Sequence, residues 1–127
     1  MKKLLIIFTL LFSVMFSTTS FSEWMKLGEN IDTDYYIDVD SMIKKQGYIY
    51  YWFLMDLKKS VEEIRSIKVF IQGDCNLLRL KTVSYHYYSK PIGKEFIRSE
   101  DSINKNWQYV PPDETFYELR YICKNYY

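Results

Sequence analysis

The sequence predicts an α+β fold: a small antiparallel sheet of about five to six strands, with a C-terminal helix packed on one face and tied by a disulfide. Three observations lead there. The middle of the chain is dense in aromatic and β-branched residues, with 13 Tyr, 8 Phe and 3 Trp overall. The apolar period changes from two to that of a helix only after Pro111-Pro112. Cys75 and Cys123 are the two cysteines of the chain, one on each side of that change.

The chain opens with Lys2 and Lys3, then an apolar run from Leu4 to Phe16 broken only by Thr9 and Ser13. Ser20-Phe21-Ser22 supplies a small-x-small cleavage pattern, so residues 1–22 are expected to be a signal peptide removed before Glu23. The apolar core is shorter than the ~20 residues that a membrane-spanning helix needs. Residues 23–127 are then expected to form one domain, exported to the periplasm, the cell surface or the medium. An oxidising compartment favours a structural bridge between Cys75 and Cys123, worth about 4 kcal/mol on a chain-entropy estimate. A redox pair would favour C-x-x-C spacing, and a zinc site would need more ligands than His86, the one histidine, can add.

Along the remaining chain, Glu23 to Gly28 reads as a first strand and Glu29 to Thr33 as a turn. Asp34 to Val39 is strand-like, and Asp40 to Lys45 reads as a turn or single helical turn ending near Gly47. Tyr48 to Leu57 carries the strongest strand signal. Lys58 to Arg65 is expected to be a solvated connection, although Ser60 and Glu63 would suit a helix capping box. Ser66 to Gln72 alternates cleanly. Leu77 to Tyr88 is long enough for a strand, but Leu78 and Leu80 have the opposite parity to Val83, Tyr85 and Tyr87, so a bulge is expected near Lys81-Thr82. Ser89 to Asn106 is polar, with a weak strand at Phe96-Ile97. Trp107 to Val110 is short and extended, because Pro111 pushes its predecessor towards β. Asp113 or Thr115 can cap the final helix, whose apolar stripe is Phe116, Leu119, Ile122 and Cys123.

A bridge between Cys75 and Cys123 would set the faces. Side chains two apart on a strand share a side, so Cys75 belongs with Ile67, Val69 and Ile71. The helix is expected over that side, opposite Ile49, Tyr51, Phe53, Met55 and Leu57 of the strongest strand. Tyr50, Trp52 and Phe70 then fall on the other, uncovered face, and they are the candidate partner-binding residues, since aromatic side chains dominate interface hot spots.

Composition narrows the chemistry. Removing Lys2 and Lys3 from the 17 basic residues leaves 15 against 16 acidic ones, which argues against a nucleic-acid partner held by phosphate neutralisation. No nucleophile motif, zinc-binding His pair or Gly-rich phosphate loop is present, so no catalytic residue, metal site or cofactor is expected. Asp32, Asp34, Asp38 and Asp40 flank a strand instead of lining a calcium loop. A transmembrane barrel would need more strands of 9–11 residues than the chain supplies.

The order of landmarks carries a resemblance. Trp24 comes first, then Tyr36-Ile37-Asp38 with Ser41-x-Ile43-Lys44, then Trp52 with Asp56. Ser66 leads to Asp74-Cys75, followed by Trp107-Gln108-Tyr109-Val110-Pro111 and finally Cys123. This set resembles the surface-adhesin protein E family over nearly all of the chain after residue 22. The resemblance implies a small antiparallel sheet with a disulfide-bound C-terminal helix, and an exported, non-enzymatic binding module. It also implies a protein partner of the extracellular-matrix type, and homodimerisation. Two departures stand out: Pro111-Pro112-Asp113 replaces the family's Pro-Gly-Ser, and no lipid-acceptor cysteine lies near residue 22. The alternative reading is a periplasmic module that binds a small ligand or an envelope protein.

Overall fold

A computed structural model describes residues 23–111 and 117–127. The expected signal peptide and the helix-cap residues Asp113 and Thr115 lie outside that range. Among the described residues eight strands form one antiparallel sheet, against the five to six expected. They are β1 (Trp24–Glu29), β2 (Thr33–Asp38), β3 (Ile43–Lys45), β4 (Tyr48–Val61), β5 (Ile64–Asp74), β6 (Arg79–Lys90), β7 (Lys94–Asp101) and β8 (Gln108–Tyr109). The main order is β1-β2-β4-β5-β6-β7, with β3 beside β4 and β8 beside β6. The described residues end in a helix, α1 (Tyr117–Tyr126).

β3 is the strand with no counterpart in the sequence reading, and others run longer than expected because the sequence disguised two turns. Lys58 to Arg65 is neither a helix nor a loose connection. β4 runs on to Val61, and a two-residue turn at Glu62-Glu63 returns the chain into β5. Both glutamates have positive φ, 49° and 70°, which suits the twist of a tight hairpin. Such a turn normally announces itself with Asn or Gly, and here it does not. The polar stretch after Tyr88 hides a second hairpin. Ile92 and Gly93 take positive φ, and a full strand over Lys94–Asp101 runs beside β6, with a bulge at Ile97, in place of a weak strand at Phe96-Ile97. The turn expected over Asp40 to Lys45 splits into a short 3-10 turn, which starts one residue earlier at Val39–Ser41, and the three-residue β3.

The bulge expected near Lys81-Thr82 falls one residue later. Phe70 faces Ser84 and Ile71 faces Thr82, so Val83 is left without a partner and is 36% exposed. This single insertion brings Leu80 and Tyr85 to the same side of the sheet, where both join the main core. That core gathers Ile37, Ile49, Tyr51, Val69, Ile71, Leu80 and Val110 with Leu119 and Ile122 of α1.

Cys75 and Cys123 form the disulfide, with Cα atoms 5.5 Å apart. Asp74 organises the turn that presents Cys75. Its carboxylate accepts hydrogen bonds from the backbone N–H groups of Asn76 and Leu77, at 3.0 and 3.4 Å, and pairs with Arg79 at 2.8 Å. Leu119 of α1 approaches the sheet at Gly73. A Cβ placed on Gly73 would lie 2.6 Å from Leu119 Cδ1 and 3.1 Å from Ile49 Cγ2. Burial along β4 then switches sides. Ile49 and Tyr51 are fully buried at its start, but further on Leu54 and Asp56 are buried while Phe53 and Met55 are only half-buried. The strand therefore does not keep the single buried parity that its apolar pattern suggests.

Two predictions follow from this packing. Gly73→Ala is expected to destabilise the protein by about 1–3 kcal/mol in chemical denaturation, because Leu119 and Ile49 would have to move for the new methyl. The second concerns Glu118, which is buried in the first turn of α1, and burial raises its carboxyl pKa above the usual value. The folded state thus holds that proton more tightly than the unfolded chain, so this group's contribution to stability is full at acid pH and is lost as pH rises through the folded pKa. Glu118→Gln should flatten that decline in denaturation midpoints measured from pH 4 to pH 8, and an unchanged slope would count against it.

Candidate functional site

The face of the sheet away from the main core is built from four cross-strand rows. Tyr50, Gln72 and Lys81 form one, and Trp52, Phe70 and Ser84 the next. Leu54, Lys68 and His86 follow, then Asp56, Ser66 and Tyr88. Directly opposed residues share a side, so these twelve side chains form a continuous surface. The alternation of β4 and β5 supplies the first two residues of each row, and the bulge at Val83 brings the correct residues of β6 into line.

Aromatic rings pave its centre. Tyr50 and Phe70 have centroids 6.0 Å apart, and Trp52 lies 4.8 Å from the same Phe70 ring. The structure thus brings the three sequence-predicted residues into one half-buried cluster. His86 joins it edge-on to Trp52 at 5.0 Å. Phe96 of β7 extends the paving, 6.3 Å from His86 and 5.7 Å from Tyr88.

Each end of the paving carries a cation against a tryptophan. At one end Trp107, just before β8, contacts Tyr48 at 5.4 Å, with Lys81 Nζ 4.4 Å and the Arg79 guanidinium 4.3 Å from its centroid. At the other, Lys68 Nζ sits 5.5 Å from the Trp24 ring and 5.1 Å from the Tyr88 ring. Burial lowers the pKa of Lys68, and Asp38 partly offsets it. The β6–β7 turn closes over this end. Ser66 Oγ donates to Lys90 O at 2.7 Å and accepts from the Gly93 N–H at 2.9 Å, and the Lys68 stem packs where a Gly93 side chain would sit. The face is therefore covered at its Asp56–Ser66 edge and open across Tyr50, Trp52 and Phe70. Sequence reasoning missed Trp24, Lys68, Lys81, His86, Phe96 and Trp107. Parity marked Lys68 as the strand neighbour of Phe70, but the tryptophans and Phe96 arrive through tertiary folding.

Among the described residues no three His, Cys, Asp or Glu side chains converge as a metal site, and no helix is long and apolar enough to cross a membrane. The aspartates considered for calcium are dispersed: Asp34 pairs with Lys26 at 3.4 Å, while Asp38 is buried. The chemistry this face offers is aromatic stacking, cation–π contact and charge.

Comparison with known proteins adds to this geometry. The family model for surface-adhesin protein E matches residues 24–124. No curated protein matches the chain. Among solved structures, Haemophilus influenzae protein E is similar, with a TM-score of 0.65 at 21% identity over 86% of this chain and 89% of that one. Protein E from non-typeable Haemophilus influenzae has a TM-score of 0.63 at 21% identity, covering 86% and 80% respectively. These structures establish a shared fold.

The aromatic face makes one titration prediction. Burial first, and then the charge of Lys68, push the His86 imidazole below its usual range, with Asp101 acting in the opposite sense. As the one histidine, it should give an NMR titration midpoint below about 6.5. Lys68→Gln should raise that midpoint. An unshifted midpoint in both proteins would show that the two side chains do not share this face.

Proposed function

The chain belongs to the surface-adhesin protein E family, and from that premise we propose that it is an exported, non-enzymatic binding module whose contact surface is the open aromatic face. In this reading residues 1–22 are a signal peptide, and residues 23–127 are one domain delivered to the periplasm, the cell surface or the medium. The helix lies against the opposite side of the sheet, through Leu119 at Gly73 and the Cys75–Cys123 bridge, and leaves the aromatic side for a partner. That partner is a protein, of the extracellular-matrix type or a second copy of the chain.

One observation carries the reading: Tyr50, Trp52 and Phe70 stack into a partly exposed cluster at the middle of the sheet. A fold with no partner gains little by leaving rings of this size in water. Aromatic clusters at the centre of a surface supply most of the energy in many protein interfaces. Sheet propensity alone would explain the residue types but not their continuation onto β6 and β7 through His86 and Phe96.

Trp52→Ala should retain the disulfide and the far-ultraviolet spectrum, and weaken binding to purified extracellular-matrix proteins, or self-association, by about 30-fold for a hot-spot side chain. Unchanged binding and unchanged oligomeric state would reject the face. Protection of the protein from added protease on intact cells would reject the cell-surface form of the reading.

A further inference from the structure

Helix α1 buries two kinds of group that oppose each other. Leu119 and Ile122 are fully buried, which favours docking on the sheet. Glu118, in the first turn, is only 6% exposed. Tyr51 of β4 lies in the same core, wholly buried, and its hydroxyl has no hydrogen-bond partner among the described residues. The two groups act on each other, since the Glu118 charge adds to burial in holding the Tyr51 proton. Burial also raises the Glu118 pKa and outweighs its own backbone N–H, which favours the charged form. Among the described residues no cation pairs with this carboxylate. Arg120 and Lys124 of α1 are exposed, and Arg79 is taken up by Asp74. Two buried polar groups set against two aliphatic ones leave a ten-residue helix weakly docked by packing alone. The Cys75–Cys123 bond supplies the rest, because it keeps α1 beside the sheet at high local concentration.

We propose that α1 is a latch with two holds, the Cys75–Cys123 bond and the proton on Glu118, and that it opens only when both are lost. The inference does not depend on the aromatic contact face. Both cysteines are only partly buried, so a dithiol reductant can reach the bond. One thiolate of the reductant attacks a sulfur and forms a mixed disulfide, and its second thiolate then resolves it. Two electrons and two protons pass to Cys75 and Cys123, which become thiols, and the reductant leaves as a disulfide. The Glu118 hold is full below the ordinary carboxyl range, about 4.3, and is lost as pH rises through the raised folded value. With both holds gone, Leu119 leaves Gly73. Ile49, Tyr51, Ile71 and Leu80, none more than 4% exposed with α1 in place, are then bared to water. A chain made in a reducing compartment thus completes its core only after it meets an oxidant.

Amide hydrogen exchange tests both holds in one protein. Protection factors for residues 121–126, corrected for intrinsic exchange at each pH, are compared with those of Tyr51 and Val69 in the sheet. The oxidised protein should keep α1 protected at pH 4.5 and at pH 7.5. Reduction with tris(2-carboxyethyl)phosphine at pH 7.5 should lower α1 protection at least about tenfold, while the sheet amides change less than about threefold. The reduced protein at pH 4.5 should stay within about threefold of the oxidised one, and reduced Glu118→Gln should do the same at pH 7.5. Four results would each overturn the proposal: α1 still protected after reduction at pH 7.5, helix and sheet losing protection together, reduced α1 open at both pH values, or reduced Glu118→Gln open at pH 7.5. Should the variant fail to fold, the two pH values in the native protein decide.

Discussion

A ten-residue helix has little stability alone in water, because helix nucleation is costly and few hydrogen bonds follow it. α1 is held by the rest of the chain. The Cys75–Cys123 bridge ties its last turns to the end of β5. The missing side chain of Gly73 lets Leu119 approach the backbone of that strand closely. Leu119 and Ile122 are fully buried as a result, and the core of Ile49, Tyr51 and Ile71 acquires its last layer. The covalent tie and the close approach act on neighbouring residues, 73 and 75, and the carboxylate of Asp74 fixes the turn between them and β6. Much of the architecture depends on this short run.

The face of the sheet away from the main core differs in character. It carries rings and charges in place of an aliphatic layer, and its single fully buried aliphatic side chain, Leu54, lies outside the main core. The outer strands at both ends of the sheet are interrupted. Leu27 of β1 and Ile97 of β7 are extra residues without partners, and charged side chains crowd both strands. Bulged, charged edges resist further strand pairing. Edge-to-edge association is therefore disfavoured.

Much of the fold was legible in the residues. The parity of β4 and β5 placed Tyr50, Trp52 and Phe70 on one side, and the conflict of parity in β6 announced a bulge. Two turns were not legible. Glu62-Glu63 adopts a left-handed conformation that glutamate does not favour, so no local signal marked it, and the hairpin is held by the pairing of the long strands on either side. β7 consists wholly of exposed residues, so it lacks the alternation that betrays a half-buried strand.

By itself, the sequence determined the antiparallel strands at the centre, the apolar stripe of the last helix and the pairing of the only two cysteines, because these rest on local period and on a count. Only the tertiary structure decided which end of the aromatic face is closed and which chains of contact cross it. Trp24, Phe96 and Trp107 come from segments distant in sequence, and their positions follow from sheet register, bulges and turns. The charge balance of the face was settled in the same way. Whether a lysine finds a carboxylate or an aromatic ring depends on which strand lies beside it, and strand order is a property of the folded chain as a whole.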